Sequence, residues 1–318
     1  MSAPDPAPRP RTGSAVAIGV FDGLHLGHRA ILERALARAR GAGGRCVVMS
    51  FDPHPDVVLG KGAFHSPPPL TPLGERRERI VALGADTFEV IPFTRELAAL
   101  EPEEFVDRYL VYAHAPVALV VGEGFALGRG RSGNVERLRE IGVTRGFEVE
   151  AVPLVMMDGA PVSSTRIRAA LAEGNVAGAA RLLGRRYALR GSVVTGDGRG
   201  RELGFPTANL RLIEERVVPA DGIYAVQARV GEEAALLPAA MSIGMRPTFD
   251  GQLRTLEVHL LDWTGDLVGR SLEVEFVDWL RPELRFENAQ ALIEAMDRDV
   301  AETRKRLAGV GRGAVSAS

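Results

Sequence analysis

Four short stretches of this 318-residue chain carry residue types suited to handling phosphate. The first runs Gly196-Asp197-Gly198-Arg199-Gly200-Arg201-Glu202-Leu203-Gly204-Phe205-Pro206-Thr207-Ala208-Asn209. Gly196, Gly198 and Gly200 alternate, which frees the backbone to arch and to turn its N–H groups toward an anion. Phe205-Pro206 stiffens the exit, and Thr207 and Asn209 follow two residues apart. In extended chain that spacing puts both on one face. Hydroxyl and amide oxygens there suit Mg²⁺, which prefers oxygen ligands and shares them with substrate phosphates. A glycine-rich hairpin followed by a turn explains the same composition as well.

The second stretch, residues 19–28, ends in His25-Leu26-Gly27-His28 at the entry of a helix. A helix N-terminus offers unpaired N–H donors and partial positive charge. His25 and His28 share that opening turn, each able to donate to a phosphate oxygen, and Gly27 keeps side chain out of the approach. Two histidines could also hold a metal, although no third ligand stands nearby, or could simply be surface residues at a helix start. The third stretch is Ser163-Ser164-Thr165-Arg166-Ile167-Arg168. Hydroxyls before a helical run are first of all N-caps, which explains one of the three but neither arginine. In the fourth, residues 255–261, Leu256, Val258 and Leu260 share one strand face and Thr255, Glu257 and His259 the other. Glu257 thus sits on a polar face that is either solvated or part of a site. No Gly-x-x-x-x-Gly-Lys-Ser/Thr occurs, which excludes a P-loop.

The elements that position these residues fall into two textures. Short apolar runs at 15–20, 45–51, 87–91, 117–121 and 147–154 alternate with helical stretches at 27–40, 72–83, 102–113 and 134–142. Such alternation predicts a doubly wound parallel sheet, whose ligands bind beyond the carboxyl ends of the strands. Short helices follow Ser163 and span 176–183. Beyond Gly184, strands at 189–195, 208–212, 223–230, 239–243, 255–263 and 271–280 alternate with turns. A helix over 288–307 closes the chain. This predicts a small antiparallel barrel with a terminal helix. The expected organisation is a tail over 1–13, an α/β domain over 14–184, a β domain over 185–309 and a tail over 310–318.

A net charge of −2, 46% hydrophobic and 25% charged residues describe an ordinary globular chain. They argue against a polyanion-binding surface, so no nucleic-acid partner is expected and phosphate sites must be local. The single Cys46 fits a reducing compartment and hence the cytoplasm. No apolar run reaches membrane-spanning length, and the Pro- and Ala-rich start lacks the apolar segment of a signal peptide.

The 196–209 stretch resembles the signature of riboflavin kinases. With the upstream motifs, the chain from about residue 16 to about 307 resembles the bacterial FAD synthetases, bifunctional riboflavin kinase/FMN adenylyltransferases. The resemblance implies a nucleotidylyltransferase-like Rossmann fold in which His25 and His28 serve catalysis and Gly19, Phe21, Asp22, Gly23 and Gly27 bind nucleotide. It implies that Ser163, Ser164, Thr165 and Arg168 hold the leaving pyrophosphate. In the barrel it makes Glu257 the catalytic base, the three glycines a phosphate cradle, and Thr207 and Asn209 the metal side. Residues 280–286 match a flap over the isoalloxazine, with Arg281 a candidate flavin contact, and residues 51–55 and 244–248 match loops near the ligands. ATP, riboflavin, FMN and FAD would be substrates or products, with Mg²⁺ and with oligomeric state left open.

One segment departs from the family pattern. Residues 122–128 usually read Gly-Glu-Asp/Asn-Phe-Arg-Phe-Gly, and here Gly124, Ala126 and Leu127 replace two polar groups and a ring. Each lost hydrogen bond to a charged ligand costs about 1.5–3 kcal/mol. Two alternatives therefore stand beside the bifunctional reading: a riboflavin kinase with an impaired N-terminal half, and a flavin- or nucleotide-binding protein without turnover. Val268-Gly269, where the family often has Tyr-Gly, is a milder departure.

Overall fold

A computed structural model describes residues 13–60, 68–196, 200, 203–233, 235–248 and 251–309. Gly198 lies outside the described residues. Packing divides the chain into two compact units, Met1–Pro67 with Leu73–Val162, and Pro68–Pro72 with Ser163–Ser318.

The first unit is built on a five-stranded parallel sheet of β1 (Ser14–Ile18), β2 (Cys46–Asp52), β3 (Thr87–Pro92), β4 (Pro116–Gly122) and β7 (Glu148–Val152), in the order β3-β2-β1-β4-β7. β1 is buried at every position, and its alternate residues enter two cores. Ala15 and Ala17 meet Leu32, Ala35 and Leu36 of α1 (Leu26–Gly41), and Val16 and Ile18 meet Phe105, Leu110 and Leu138 from the opposite side. Both faces are covered, as a parallel sheet requires. The chain leaves β1 toward β2 and β3, then returns to β4. That reversal opens a crevice at the carboxyl ends of β1 and β4.

Two local features depart from the expected pattern. The 102–113 stretch is not one α-helix but α5 (Pro102–Val106), a π-helical turn over Asp107–Val111, and α6 (Tyr112–His114). The 53–59 segment holds a short helix, α2 (Pro55–Leu59), started by Pro55 behind the His54 cap.

The second unit is a closed six-stranded antiparallel barrel of β10 (Ala188–Val194), β11 (Ala208–Leu212), β12 (Gly222–Val230), β13 (Leu237–Thr248), β14 (Gly251–Leu260) and β15 (Ser271–Arg281), ordered β10-β11-β14-β13-β12-β15. Closure removes every sheet edge. The terminal helix α10 (Ala289–Ala308), capped by Asn288, follows the barrel. The change of texture at 184 marks where strands take over, yet α8 (Ser164–Ala172) and α9 (Val176–Leu183) pack with the barrel. Leu171 accepts from the Ala220 amide at 2.9 Å, and Gly174 lies against the Trp279 ring.

Candidate active sites

In the barrel, strand alternation sorts the side chains of β14. Leu256, Val258 and Leu260 are buried, while Thr255, Glu257 and His259 line a cavity of about 370 Å³. Register surrounds Glu257 with oxygen. Its cross-strand partners are Asn209 on β11 and Ser242 on β13, and residues so paired share a face. Thr207 Oγ1 donates to Glu257 Oε2 at 3.2 Å. His259 contacts the Pro206 carbonyl through Nδ1 at 2.9 Å and meets the Phe205 ring edge-on, which fixes the segment just before Thr207.

The wall opposite β14 comes from the 280–286 segment and α10. Arg281 lines it, with Nε and Nη2 donating to both carboxylate oxygens of Asp299 at 2.8 and 2.7 Å. Phe286 lies 5.8 Å beneath its guanidinium. Glu283 faces the same cavity. Burial raises its carboxyl above the ordinary value, and the charges of Asp221 and Glu257 add to the shift. A Cβ on Gly244 would stand 2.0 Å from the Glu283 carboxylate, so glycine is what makes room for it. The sequence motifs pointed to Glu257 and Arg281. Ser242 and Asp299 became visible only through strand pairing and helix packing.

A second cavity of about 720 Å³ is lined by Thr195, Gly196, Asn209, Trp263 and Asp266, among others. Thr207 belongs to both cavities. A Cβ on Gly196 would come within 1.9 Å of the Asn209 amide. On Gly200 it would come within 2.4 Å of the Phe205 carbonyl and 3.1 Å of Thr207 Oγ1. The glycines therefore leave space at the two side chains expected on the metal side. Among the described residues no group of three His, Cys, Asp or Glu could hold a metal. The Thr207–Asn209 oxygens fit an ion that completes its shell with phosphate and water.

In the first unit, His25 caps α1, and its Nδ1 accepts the His28 amide at 3.2 Å. The two rings stack at 3.6 Å, with Phe21 edge-on to His28. Phe21 and Gly23 hold left-handed backbone (φ 53° and 85°). Asp22 and the Phe21 ring are buried beneath the turn. Gly19 gives space to the Phe21 ring, and Gly27 lies so near His25 that a Cβ would stand 3.1 Å from its ring. The glycine expected to clear a path for phosphate thus first clears one for imidazole.

His28 is half-buried with its Nδ1 enclosed and without a hydrogen-bond partner. Burial above all, then the charges of His25 and Arg76, holds its pKa well below 6.5. Arg76, on α3 (Leu73–Ala82), is itself buried. It donates to the Val20 carbonyl at 2.9 Å and to Ser50 Oγ at 3.2 Å, with Asp22 at 3.9 Å. Nothing in the sequence marked it among the many surface arginines. The altered loop after β4 lines a cavity of about 440 Å³ together with Gly19, Phe51 and His54. Leu127 also packs in the core, paired through β5 (Ala126–Leu127) with β6 (Gly133–Asn134).

The Ser163–Arg168 stretch belongs to the second unit. Ser163 caps α8, accepting from the Arg166 amide at 3.3 Å. Arg168 donates to the Pro68 carbonyl.

Residues 7–166 match the FAD synthetase family profile, and residues 183–307 match that of riboflavin kinase. A bifunctional riboflavin kinase/FMN adenylyltransferase of Listeria monocytogenes is 39% identical over 91% of both chains. One from Pseudomonas fluorescens is 40% identical over 92% of both. The chain belongs to the bifunctional riboflavin kinase/FMN adenylyltransferase family. It is thus built as a transferase of two domains, and the parallel sheet and the closed barrel are the folds that this membership implies. A solved Streptococcus pneumoniae structure described as a macrolide-efflux protein is 32% identical, with a TM-score of 0.84 over 92% of this chain and 94% of that one. Among the described residues of the present chain, no helix is long and apolar enough to cross a membrane.

Proposed function

We propose that this protein phosphorylates riboflavin to FMN in the barrel and adenylylates FMN to FAD at the His25–His28 helix mouth, using ATP for both. The observation that carries the kinase half is Thr207, which walls both barrel cavities and hydrogen-bonds Glu257. The nucleotide occupies the larger cavity and the flavin the smaller one, so their reacting groups meet at that residue. Glu257 takes the proton from the flavin's primary hydroxyl as its oxygen bonds to the γ-phosphorus and ADP leaves. Thr207 and Asn209 would hold Mg²⁺ with the nucleotide phosphates, and the ion supplies neutralisation of phosphate charge. Arg281, fixed by Asp299 and Phe286, orients the flavin ring.

In the first unit, an FMN phosphate oxygen attacks the α-phosphorus of ATP and pyrophosphate leaves. His25 Nδ1 accepts a backbone proton, so its ring proton sits on Nε2. The enclosed Nδ1 of His28 is least costly as a bare acceptor, which leaves its proton on Nε2 too. Both rings then donate toward phosphate oxygens as charge develops. The single buried Cys46, its thiol pushed up to about 11 by burial, suits a reducing cytoplasm.

The test is a time course with riboflavin, ATP and Mg²⁺, the flavins resolved by chromatography. FMN rising first and FAD following is the expected result. FMN without FAD would remove the adenylyl-transfer half, and unchanged riboflavin would remove the kinase.

A further inference from the structure

The cavity of about 440 Å³ in the first unit opens among the loops that follow the strands, and the phenylalanines Phe51, Phe93, Phe105 and Phe125 line it. Rings so placed suit a planar aromatic ligand. The charged or titratable residues on its walls are His54, Asp56 and Arg131. His54 and Asp56 stand together, Nδ1 to Oδ2 at 3.7 Å. Arg131 differs. Its Nη2 donates to the Gly124 carbonyl at 3.1 Å, and among the described residues no carboxylate forms an ion pair with it. Arg129, two residues earlier, is bound to Glu101 at 2.8 Å and does not line the cavity.

Arg131 is also held in left-handed backbone (φ 62°), a conformation that costs energy in any residue with a side chain, and it follows Gly128 and Gly130 in the same region. No heavy atom stands within 4 Å of the place where a Gly124 side chain would begin. Arg131 and the uncrowded Gly124 to which it is bonded thus line one wall of an aromatic-lined cavity. At Ala126, on the same wall, the family pattern expects an arginine.

We propose that Arg131 is the anion-binding residue of this cavity, supplying from further along the loop the charge that Ala126 lacks. The ligand class is a phosphorylated planar aromatic, with its rings among the phenylalanines and its phosphate on the guanidinium. Under the adenylyl-transfer reading above, on which this identification rests, that ligand is FMN.

Arg131→Ala should raise KM for FMN in FAD formation about tenfold or more, the loss of a charge-assisted contact. KM for ATP should stay put and kcat should fall much less. Arg131→Lys should restore part of the loss, as should Ala126→Arg in the Arg131→Ala background. Circular dichroism melting verifies that each variant is folded. An unchanged KM for FMN in folded Arg131→Ala, or a rise confined to KM for ATP, overturns the assignment. Flavin-fluorescence titration separates this from failure of the adenylyl-transfer reading. If the wild-type chain makes no FAD, that reading falls, and the titration alone decides on Arg131. Loss of one class of FMN sites in Arg131→Ala then supports the assignment, and identical titrations overturn it.

Discussion

His25 Nδ1 accepts the His28 amide, and His28 Nδ1 is enclosed without a hydrogen-bond partner. The folded state keeps His28 well below 6.5. As pH falls below that value the unfolded chain takes up a proton that the folded chain refuses. The stability tied to this residue is therefore complete above 6.5 and declines toward its folded pKa. His28→Asn should flatten the loss of melting temperature between about pH 7.5 and about pH 5.5. A slope equal to the wild type's would place the acid sensitivity elsewhere. Gly196→Ala drives a methyl to 1.9 Å from the Asn209 amide. Overpacking of about 1–3 kcal/mol should appear mainly as a higher KM for ATP in riboflavin phosphorylation, with KM for riboflavin little changed. Residues such as His25, Glu257 and Thr207 were legible in sequence because their motifs are local. Arg76, Ser242 and Asp299 reach their sites from distant segments, and only packing reveals them.

At the scale of elements, period-two alternation on β14 placed Glu257 correctly, since a barrel buries one strand face and leaves the other to the cavity. Periodicity was less informative where elements are short. The pairs Ala126–Leu127 with Gly133–Asn134, and Met156–Met157 with Ala160–Pro161, hold too few residues to show a period. The π-helical turn at 107–111 interrupts a run that reads as one continuous helix. α10 contributes to the cavity of about 370 Å³ as well as covering apolar surface, since Leu292, Met296, Asp299 and Val300 all line it. Asp299→Asn removes the charge that fixes the Arg281 fork. A hydrogen-bonded charge pair of this kind contributes about 1.5–3 kcal/mol. The variant should raise KM for riboflavin several-fold, leave KM for ATP near its wild-type value and lower the melting temperature. Steady-state kinetics varying each substrate will show whether the effect is confined to the flavin.

At the scale of the molecule, the shift from alternating strands and helices to consecutive strands announced two folds, and both formed. The sequence did not announce that α8 and α9 pack with the barrel. Amphipathic helices advertise a buried face but not the partner that buries it. The central claim is that the two chemistries have separate groups, Glu257 for one and the His25–His28 pair for the other. Substitution should then divide the activities, which is most directly measured by following flavins chromatographically in two variants. Glu257→Ala should make no FMN from riboflavin yet convert supplied FMN to FAD, and His28→Ala should make FMN and stop there. If both variants, folded, lost both conversions, the assignment of two separate sites would be wrong.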